Sequence, residues 1–179
     1  MTTIILLLLA SVGLLLALPR MSDQSARAIR KTSPRAGFAS YIIADGVTLY
    51  EGQLVQLESG YLNHWDETGK FLGVLIGGDD RARDGVILGE TSDTPPTEGR
   101  VDESGVTLMH VAVAGTPTQA DVGALIYCAD SNPANLTKTD TTNPPVGRLK
   151  RFRSTSDCDV ELFTPTEWLA GDAGAAWAS

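Results

Sequence analysis

The chain is poor in the residues from which catalytic and metal sites are usually built. Its 179 residues include two histidines and two cysteines, and aromatic residues make up 6% of the total. The sequence contains no Gly-rich phosphate loop, no Gly-x-Ser-x-Gly elbow, no Cys-x-x-Cys and no His-Glu-x-x-His. We therefore expect no catalytic residues, no metal ligands and no cofactor, and we do not expect an enzyme. A small hydrolase is the weaker alternative.

Neither histidine stands in a pattern typical of metal ligands. His64 lies beside Asp66 and Glu67, but no second His or Cys follows at ligand spacing. We therefore predict a solvated loop tip over residues 61–70. His110 lies within an apolar run, where we expect it to point outward or to be hydrogen-bonded.

The two cysteines, Cys128 and Cys158, are too few for a disulfide framework. A free cysteine packs as a small apolar residue. We expect free, partly buried thiols, and a bridge between the two is the alternative because both lie in predicted strands.

Basic residues are scarce after position 37. The chain has a formal net charge of −8, of which residues 1–37 contribute +4 and the remaining 142 residues −12. An acidic body argues against nucleic-acid binding, which depends on clustered Lys and Arg. A basic segment before an acidic body indicates an interaction tail.

One long apolar segment is present, from Ile4 to Leu18, interrupted only by Ser11 and Gly13. It lacks the preceding Lys or Arg of a signal peptide, and it is shorter than the roughly 20 residues of a spanning helix. We expect an arm buried against protein. The alternative is a short membrane anchor that tethers a β domain to a bacterial envelope.

Short apolar runs between turn residues dominate the rest of the chain. Asp45-Gly46 is a strong hairpin signal, and β-branched residues, alternation and bounding Gly or Pro favour strands over helices. The predicted strands are 40–44, 47–50, 53–57, 71–76, 107–114, 124–128, 145–149 and 159–163.

The two halves of the body repeat one pattern. Residues 51–55 match 122–126, and residues 71–75 match 145–149, with a Gly at the second or third position of each segment. An offset of this length is typical of a duplicated β-meander whose copies share a core.

These patterns predict an all-β fold, a compact β-barrel or sandwich of two related meanders with extended N- and C-terminal arms. We place a hydrophobic and then basic N-terminal arm at 1–37, the β domain at 38–164 and a C-terminal tail at 165–179.

The order of motifs also points to a family. After an apolar-Gly-Val segment at Leu72 come Val111-Ala-Val-Ala-Gly115, Gly123-Ala-Leu-Ile-Tyr127, Val146-Gly-Arg-Leu149 and Val160-Glu-Leu-Phe163. Over roughly residues 38–163 the chain resembles the small capsid decoration (cement) proteins of tailed bacteriophages.

The resemblance implies a structural protein that binds the outer surface of a phage head and stabilises the shell. Its partners would be the major capsid protein and further copies of itself, in a homotrimer, with no nucleic acid. It would be located in the virion and assembled in the host cytoplasm. A membrane partner is expected only for the envelope-tethered alternative.

Three regions are candidates for contacts with a partner: the N-terminal arm, a basic cluster and two tryptophans near the C-terminal end. The basic cluster indicates either an edge strand protected by charge or a contact strip for an acidic surface. Thr164 to Ala170 is predicted to form a capped helical turn, and a Trp beyond it is typical of a plug for another subunit's pocket. The candidate interaction residues are Ile4, Leu8, Leu15, Arg20, Arg27, Arg30, Arg148, Lys150, Arg151, Arg153, Trp168 and Trp177.

Overall fold

A computed structural model describes residues 37–78, 85–139 and 144–173. Twelve strands and one α-helix are found there. They are β1 (Phe38–Ile42), β2 (Thr48–Tyr50), β3 (Leu54–Glu58), β4 (Tyr61–His64), β5 (Lys70–Gly78), β6 (Val86–Leu88), β7 (Glu98–Asp102), β8 (Thr107–Val111), β9 (Leu125–Cys128), β10 (Leu136–Thr137), β11 (Gly147–Ser154), β12 (Asp157–Leu162) and α1 (Pro165–Ala173).

The strands form two five-stranded antiparallel sheets and a two-stranded ribbon of β2 and β6. The predicted all-β fold is confirmed. Both sheets curl. In each of them, the segment that follows the first strand in the chain forms a parallel bridge with the third strand in chain order, and this bridge draws the two together. These bridges are Ile43 to Leu62 in the first sheet and Ala114 to Thr137 in the second.

The two sheets share one strand order. The first runs β1-β7-β5-β3-β4 and the second β8-β12-β11-β9-β10. In each sheet, the strand that comes first in the chain therefore pairs with the strand that comes last. The second and third strands in chain order form a hairpin at one edge of the sheet. We call residues 37–104 the first unit and residues 105–164 the second unit. The predicted duplication is confirmed by this shared strand order, in which the first strand of each unit pairs with its last rather than with its second, as it would in a meander.

Equivalent residues of the two units make the same backbone hydrogen bonds. The N–H of Gly52 donates to the carbonyl of Leu75 at 2.7 Å, and the N–H of Gly123 donates to the carbonyl of Leu149 at 2.7 Å. Both glycines have positive φ, +88° and +97°, a conformation that glycine adopts without steric cost. The turn into β3 and the turn into β9 therefore each require the Gly that opens the repeat in the sequence, because the backbone has positive φ there.

A second glycine is required where neighbouring strands approach closely. Gly73 lies opposite Val55, and Gly147 lies opposite Ile126, at matching positions of the two units. A Cβ on Gly73 would overlap the carbonyl oxygen of Asp102, and one on Gly147 would overlap that of Glu161. The second Gly of each sequence repeat thus marks the place where three neighbouring strands approach closely.

We expect Gly73→Ala to lower the free energy of unfolding by at least about 2 kcal/mol, because the new Cβ overlaps a backbone oxygen and φ is +144°. Gly60→Ala is the matched control, since Gly60 also has positive φ, +90°, but nothing lies within 4 Å of its Cβ position. Urea unfolding of both variants measures the difference. Equal losses of stability would contradict the close approach.

Two apolar clusters hold the units together. The smaller one fills the first sheet, with Ile43, Leu49, Val55, Leu62, Leu72, Leu75, Ile87 and Val101. The larger one joins Leu54, Trp65, Phe71 and Val74 of the first unit to the buried residues of the second. β3 and β5 are therefore buried on both faces, which explains why residues 71–76 of β5 read as a continuous apolar run rather than an alternating one.

The predicted loop tip at residues 61–70 is wrong over its first half. Tyr61–His64 is strand β4, and Trp65 is fully buried. Its Nε1–H donates to the carbonyl of Cys128 at 2.6 Å. The polar neighbours of Trp65 hide this in the sequence, because the partner that buries it lies in the other unit.

The helical turn predicted after Thr164 is present as α1. Thr164 and Glu167 form a reciprocal capping pair, at 2.9 Å from the Thr164 N–H to Oε2 and 3.2 Å from the Glu167 N–H to Oγ1. The helix carries Trp168 into the larger cluster, where its ring meets Trp65 edge-on with centroids 6.2 Å apart. The first part of the predicted tail therefore packs against the β body.

Candidate interaction surface

The predicted basic strip lies on β11, between β9 and β12 in the second sheet. β9 pairs with β11 only at Gly147 and Arg148. From Lys150 to Ser154, β12 alone pairs with β11 among the described strands. The edge-strand interpretation is therefore wrong at the start of β11, where β9 and β12 both pair with it. It holds for the second half of β11, where one side of the strand has no other described strand beside it.

The four cations of the strip are engaged within the second unit. Lys150 Nζ lies 2.7 Å from Glu161 Oε1, and Arg153 makes two hydrogen bonds of 2.9 Å to the carboxylate of Asp159. Arg151 Nε lies 3.9 Å from the same carboxylate. The guanidinium of Arg148 stacks over the ring of Phe163 at 5.3 Å. The strip is thus a mixed-charge surface on which carboxylates of β12 neutralise Lys150, Arg151 and Arg153.

Arg153 and Asp159 form the best-defined ion pair of this surface. The hydrogen bond from Arg153 lowers the pKa of Asp159 below its ordinary value. A carboxyl group whose pKa is lowered by folding stabilises the folded state above its unfolded pKa and loses that contribution as the pH falls. The pair therefore stabilises the β11–β12 hairpin at neutral pH.

The two units differ in their charge. The described residues of the first unit carry ten acidic and two basic side chains, and those of the second carry five of each. In the second unit Lys138 also pairs with Asp121 at 2.8 Å, and this hydrogen bond lowers the pKa of Asp121 to about 2. The negative charge that the sequence assigns to the body is therefore concentrated in the first unit.

His110 is exposed and lies outward. Its Nδ1 is 2.9 Å from Asp157 Oδ1. Its backbone N–H donates to Asp159 Oδ1 at 3.3 Å. A φ of 58° at His110 marks a bulge at which the pairing of β8 with β12 skips one residue. The side chain has the outward, hydrogen-bonded position that the sequence predicts.

Sequence reasoning missed the apolar outer face of the ribbon. Tyr50 and Leu88 are 44% and 50% exposed, while Leu49 and Ile87 on the opposite face are buried. Cross-strand pairing sets Tyr50 opposite Val86. The alternation of Thr48, Leu49 and Tyr50 was the available signal, but it does not reveal which face is covered.

Several candidate residues lie outside the described part of the chain. They are Ile4, Leu8, Leu15, Arg20, Arg27, Arg30 and Trp177. Of the candidates within it, Trp168 is 5% exposed and lies in the core, so the structure gives it a packing role in its own chain.

Both cysteines are free and buried. They lie on β9 and β12, which are separated in the sheet by β11. Burial raises the pKa of Cys128 to about 12 and also raises that of Cys158. Because the thiolate is the reactive form, we expect both thiols to resist alkylation in the folded protein.

We expect iodoacetamide to label neither cysteine at pH 8 in the folded protein within the time that a free model thiol reacts fully. After unfolding in guanidinium without reductant, both should be labelled. Mass spectrometry counts the adducts. An unfolded, unreduced chain in which both cysteines resist labelling would show a bridge and would favour the envelope-tethered alternative.

Across residues 37–78, 85–139 and 144–173, no group of three or more His, Cys, Asp or Glu side chains is placed to hold a metal ion. Within the same residues, no helix has the length and apolar character needed to cross a membrane.

Comparison with known proteins finds similarity to solved structures. No protein-family model and no curated protein matches the chain. A chain from the capsid of Myoviridae Phage XM1 is similar in structure, with a TM-score of 0.47 and 18% sequence identity. The similarity covers 82% of this chain and 94% of that chain.

Proposed function

We propose that the protein is a structural component of a phage particle and, more specifically, a decoration protein that binds the outer surface of the head and stabilises the shell. The observation that carries the proposal is the series of motifs from Val111 to Phe163, which resembles capsid decoration proteins. These residues supply β9 to β12 and the close approach at Gly147 of the second unit, so the resemblance covers a folding framework rather than scattered positions.

The contacts that polar side chains of the second unit make within that unit support a structural role. Its described cations bind carboxylates, a backbone carbonyl or an aromatic ring within the same unit. His110 is bound to Asp157. Side chains held in this way stiffen the surface, and stiffness suits a protein that restrains neighbouring subunits.

Charge distribution supports binding through the N-terminal arm. An apolar segment, residues 4–18, and five basic residues between positions 20 and 35 precede a unit rich in carboxylates. A segment that becomes ordered on binding covers a large area for a small protein. In this proposal the arm contacts the major capsid protein, while the acidic body faces solvent and keeps particles apart.

Fractionation tests the proposal against the membrane alternative. We expect the protein to sediment with detergent-washed heads that were assembled without it and then mixed with the purified protein. The control is the same protein sedimented alone. Extraction from cell membranes only in the presence of detergent, with no sedimentation with heads, would overturn the proposal and favour the envelope-tethered β domain.

The finer part of the proposal includes a homotrimer on the shell. Each sheet has two outer strands that can accept a neighbour, and closed ring assemblies cover such edges. Crosslinking on decorated heads followed by mass measurement is expected to give trimers. A product that never exceeds the monomer mass would contradict this stoichiometry.

A further inference from the structure

The second unit has an open groove of about 640 Å³ beside its parallel bridge. The groove is lined by small or uncharged residues, among them Ala112, Ala114, Gly115, Asn135 and Thr155. Ala114 is exposed at its centre. We call this feature the Ala114 groove.

The corresponding position of the first unit is occupied by the chain itself. Ala44 corresponds to Ala114, because each donates its N–H to the third strand of its sheet, to the carbonyls of Leu62 and Leu136 respectively. Gly89, directly after β6, lies so close to Ala44 that a Cβ on it would overlap the Ala44 carbonyl oxygen. An extended segment therefore covers Ala44.

Backbone hydrogen bonds hold that segment in place. The N–H of Gly46 donates to the carbonyl of Gly89 at 3.0 Å, and the N–H of Gly89 donates to the carbonyl of Val47 at 2.7 Å. Counted from Ala44 and Ala114, Thr116 and Pro117 of the second unit correspond to Gly46 and Val47, and both Gly46 and Thr116 have positive φ, +72° and +49°. No described backbone carbonyl accepts from the N–H of Thr116.

Among its described residues, the second unit has no segment equivalent to β6 and Gly89. Nineteen residues separate β5 from β7, and they include β6 and Gly89. Only Thr155 and Ser156 separate β11 from β12. The same framework thus covers its groove in one copy and leaves it open in the other.

The lining defines the chemistry of an occupant. An extended backbone is needed to use the N–H of Thr116, and Gly89 shows that the residue nearest the bridge must be small. The lining has no charged side chain, so a charged segment would lose hydration without an ion pair. An uncharged segment of Gly and Ala with one large side chain to fill the remaining volume meets these needs.

Residues 174–179, Gly-Ala-Ala-Trp-Ala-Ser, have this composition. The helix before them, α1, packs against β5 of the first unit, whereas every lining residue belongs to the second. We propose that the Ala114 groove binds residues 174–179 of a second copy of the chain, with Trp177 as the anchor. Trp is the residue most typical of such anchors.

Complementation between two variants of the full chain tests this. Ala114→Arg blocks the groove and keeps the tail, and Trp177→Ala keeps the groove and removes the anchor. Ala120→Arg is the matched control, because Ala120 is exposed and lies outside the groove lining. Sedimentation velocity over a concentration series gives the mass of each sample.

We expect the unmodified chain and Ala120→Arg to associate, and each test variant alone to weaken association by at least about tenfold in Kd, the effect of losing about 1.4 kcal/mol. A mixture of the two variants should form dimers, since it contains one intact tail and one intact groove. An unmodified chain that stays monomeric, test variants that associate like Ala120→Arg, or a mixture that stays monomeric would each overturn the proposal. The samples contain no phage heads, so a negative result in this experiment would not count against the proposed function.

Discussion

Trp65→Ala is expected to lower the free energy of unfolding by about 3–5 kcal/mol, the usual cost of removing a buried Trp or Phe side chain. Trp65 is fully buried and meets Phe71 edge-on with ring centroids 5.3 Å apart. Its removal also leaves the buried carbonyl of Cys128 without the donor at 2.6 Å, which adds to the loss. Because domains of this size are stable by about 5–15 kcal/mol, the variant should be close to unfolding. Urea denaturation followed by circular dichroism measures the change.

Two further variants make the result specific. Trp65→Phe keeps most of the apolar volume but removes the N–H, so we expect a smaller loss that reports the hydrogen bond to Cys128. Tyr61→Ala changes an aromatic residue that is 43% exposed on β4, the strand directly before Trp65, and we expect an effect within about 0.5 kcal/mol. Comparable losses in Trp65→Ala and Tyr61→Ala would contradict a shared core between the two units.

Deleting residues 1–20 is expected to leave a folded body that binds heads weakly or not at all. The deletion removes the apolar segment 4–18. Each large apolar side chain that it buries on a protein surface contributes roughly 1.5–3 kcal/mol, so partial burial of eight of them exceeds about 10 kcal/mol before the entropy of ordering is subtracted. Co-sedimentation with heads measures binding, and circular dichroism checks that the β body is intact.

Substitutions separate the apolar and the ionic parts of that effect. Ile4, Leu8 and Leu15 changed together to Ser should weaken binding at every salt concentration. Arg20, Arg27 and Arg30 changed together to Gln should weaken it mainly at low salt, because exposed charges are screened at high salt. Unchanged binding by the deletion would defeat the arm as the attachment element.

The sequence was enough to predict the duplication and eight of the twelve strands, whereas β4, β6, β7 and β10 were not among the predicted strands. Gly52 and Gly123, and likewise Gly73 and Gly147, can be recognised because only glycine fits a positive φ or a close approach of strands. These requirements are local to each unit, so they appear as a repeat in the sequence. The identical order of strands in the two sheets follows from that repeat.

The boundary between the units could not be predicted from the sequence. Trp65 is followed by Asp66 and Glu67, so the sequence predicts a solvated loop there, because nothing near it in the chain indicates the second unit that covers it. β3 and β5 are covered on two faces for the same reason. Burial by distant residues leaves no periodic signal in a short segment.

The charge of the candidate surface could be predicted only in part. The sequence shows the cations of β11, but their partners Asp157, Asp159 and Glu161 neutralise them only because β12 folds back beside that strand. The Ala114 groove leaves no sequence signal either, since it arises from the short turn between β11 and β12. Comparison of the two units in the structure is needed to recognise it.

Locating this chain in purified phage particles tests the central claim most directly. Washed particles are imaged by electron cryomicroscopy, and the map is searched for the two curled five-stranded sheets. We expect the body on the outer surface of the shell, in contact with the major capsid protein and present at repeated lattice positions. Particles that lack the chain, or that hold it only inside the shell, would contradict the account.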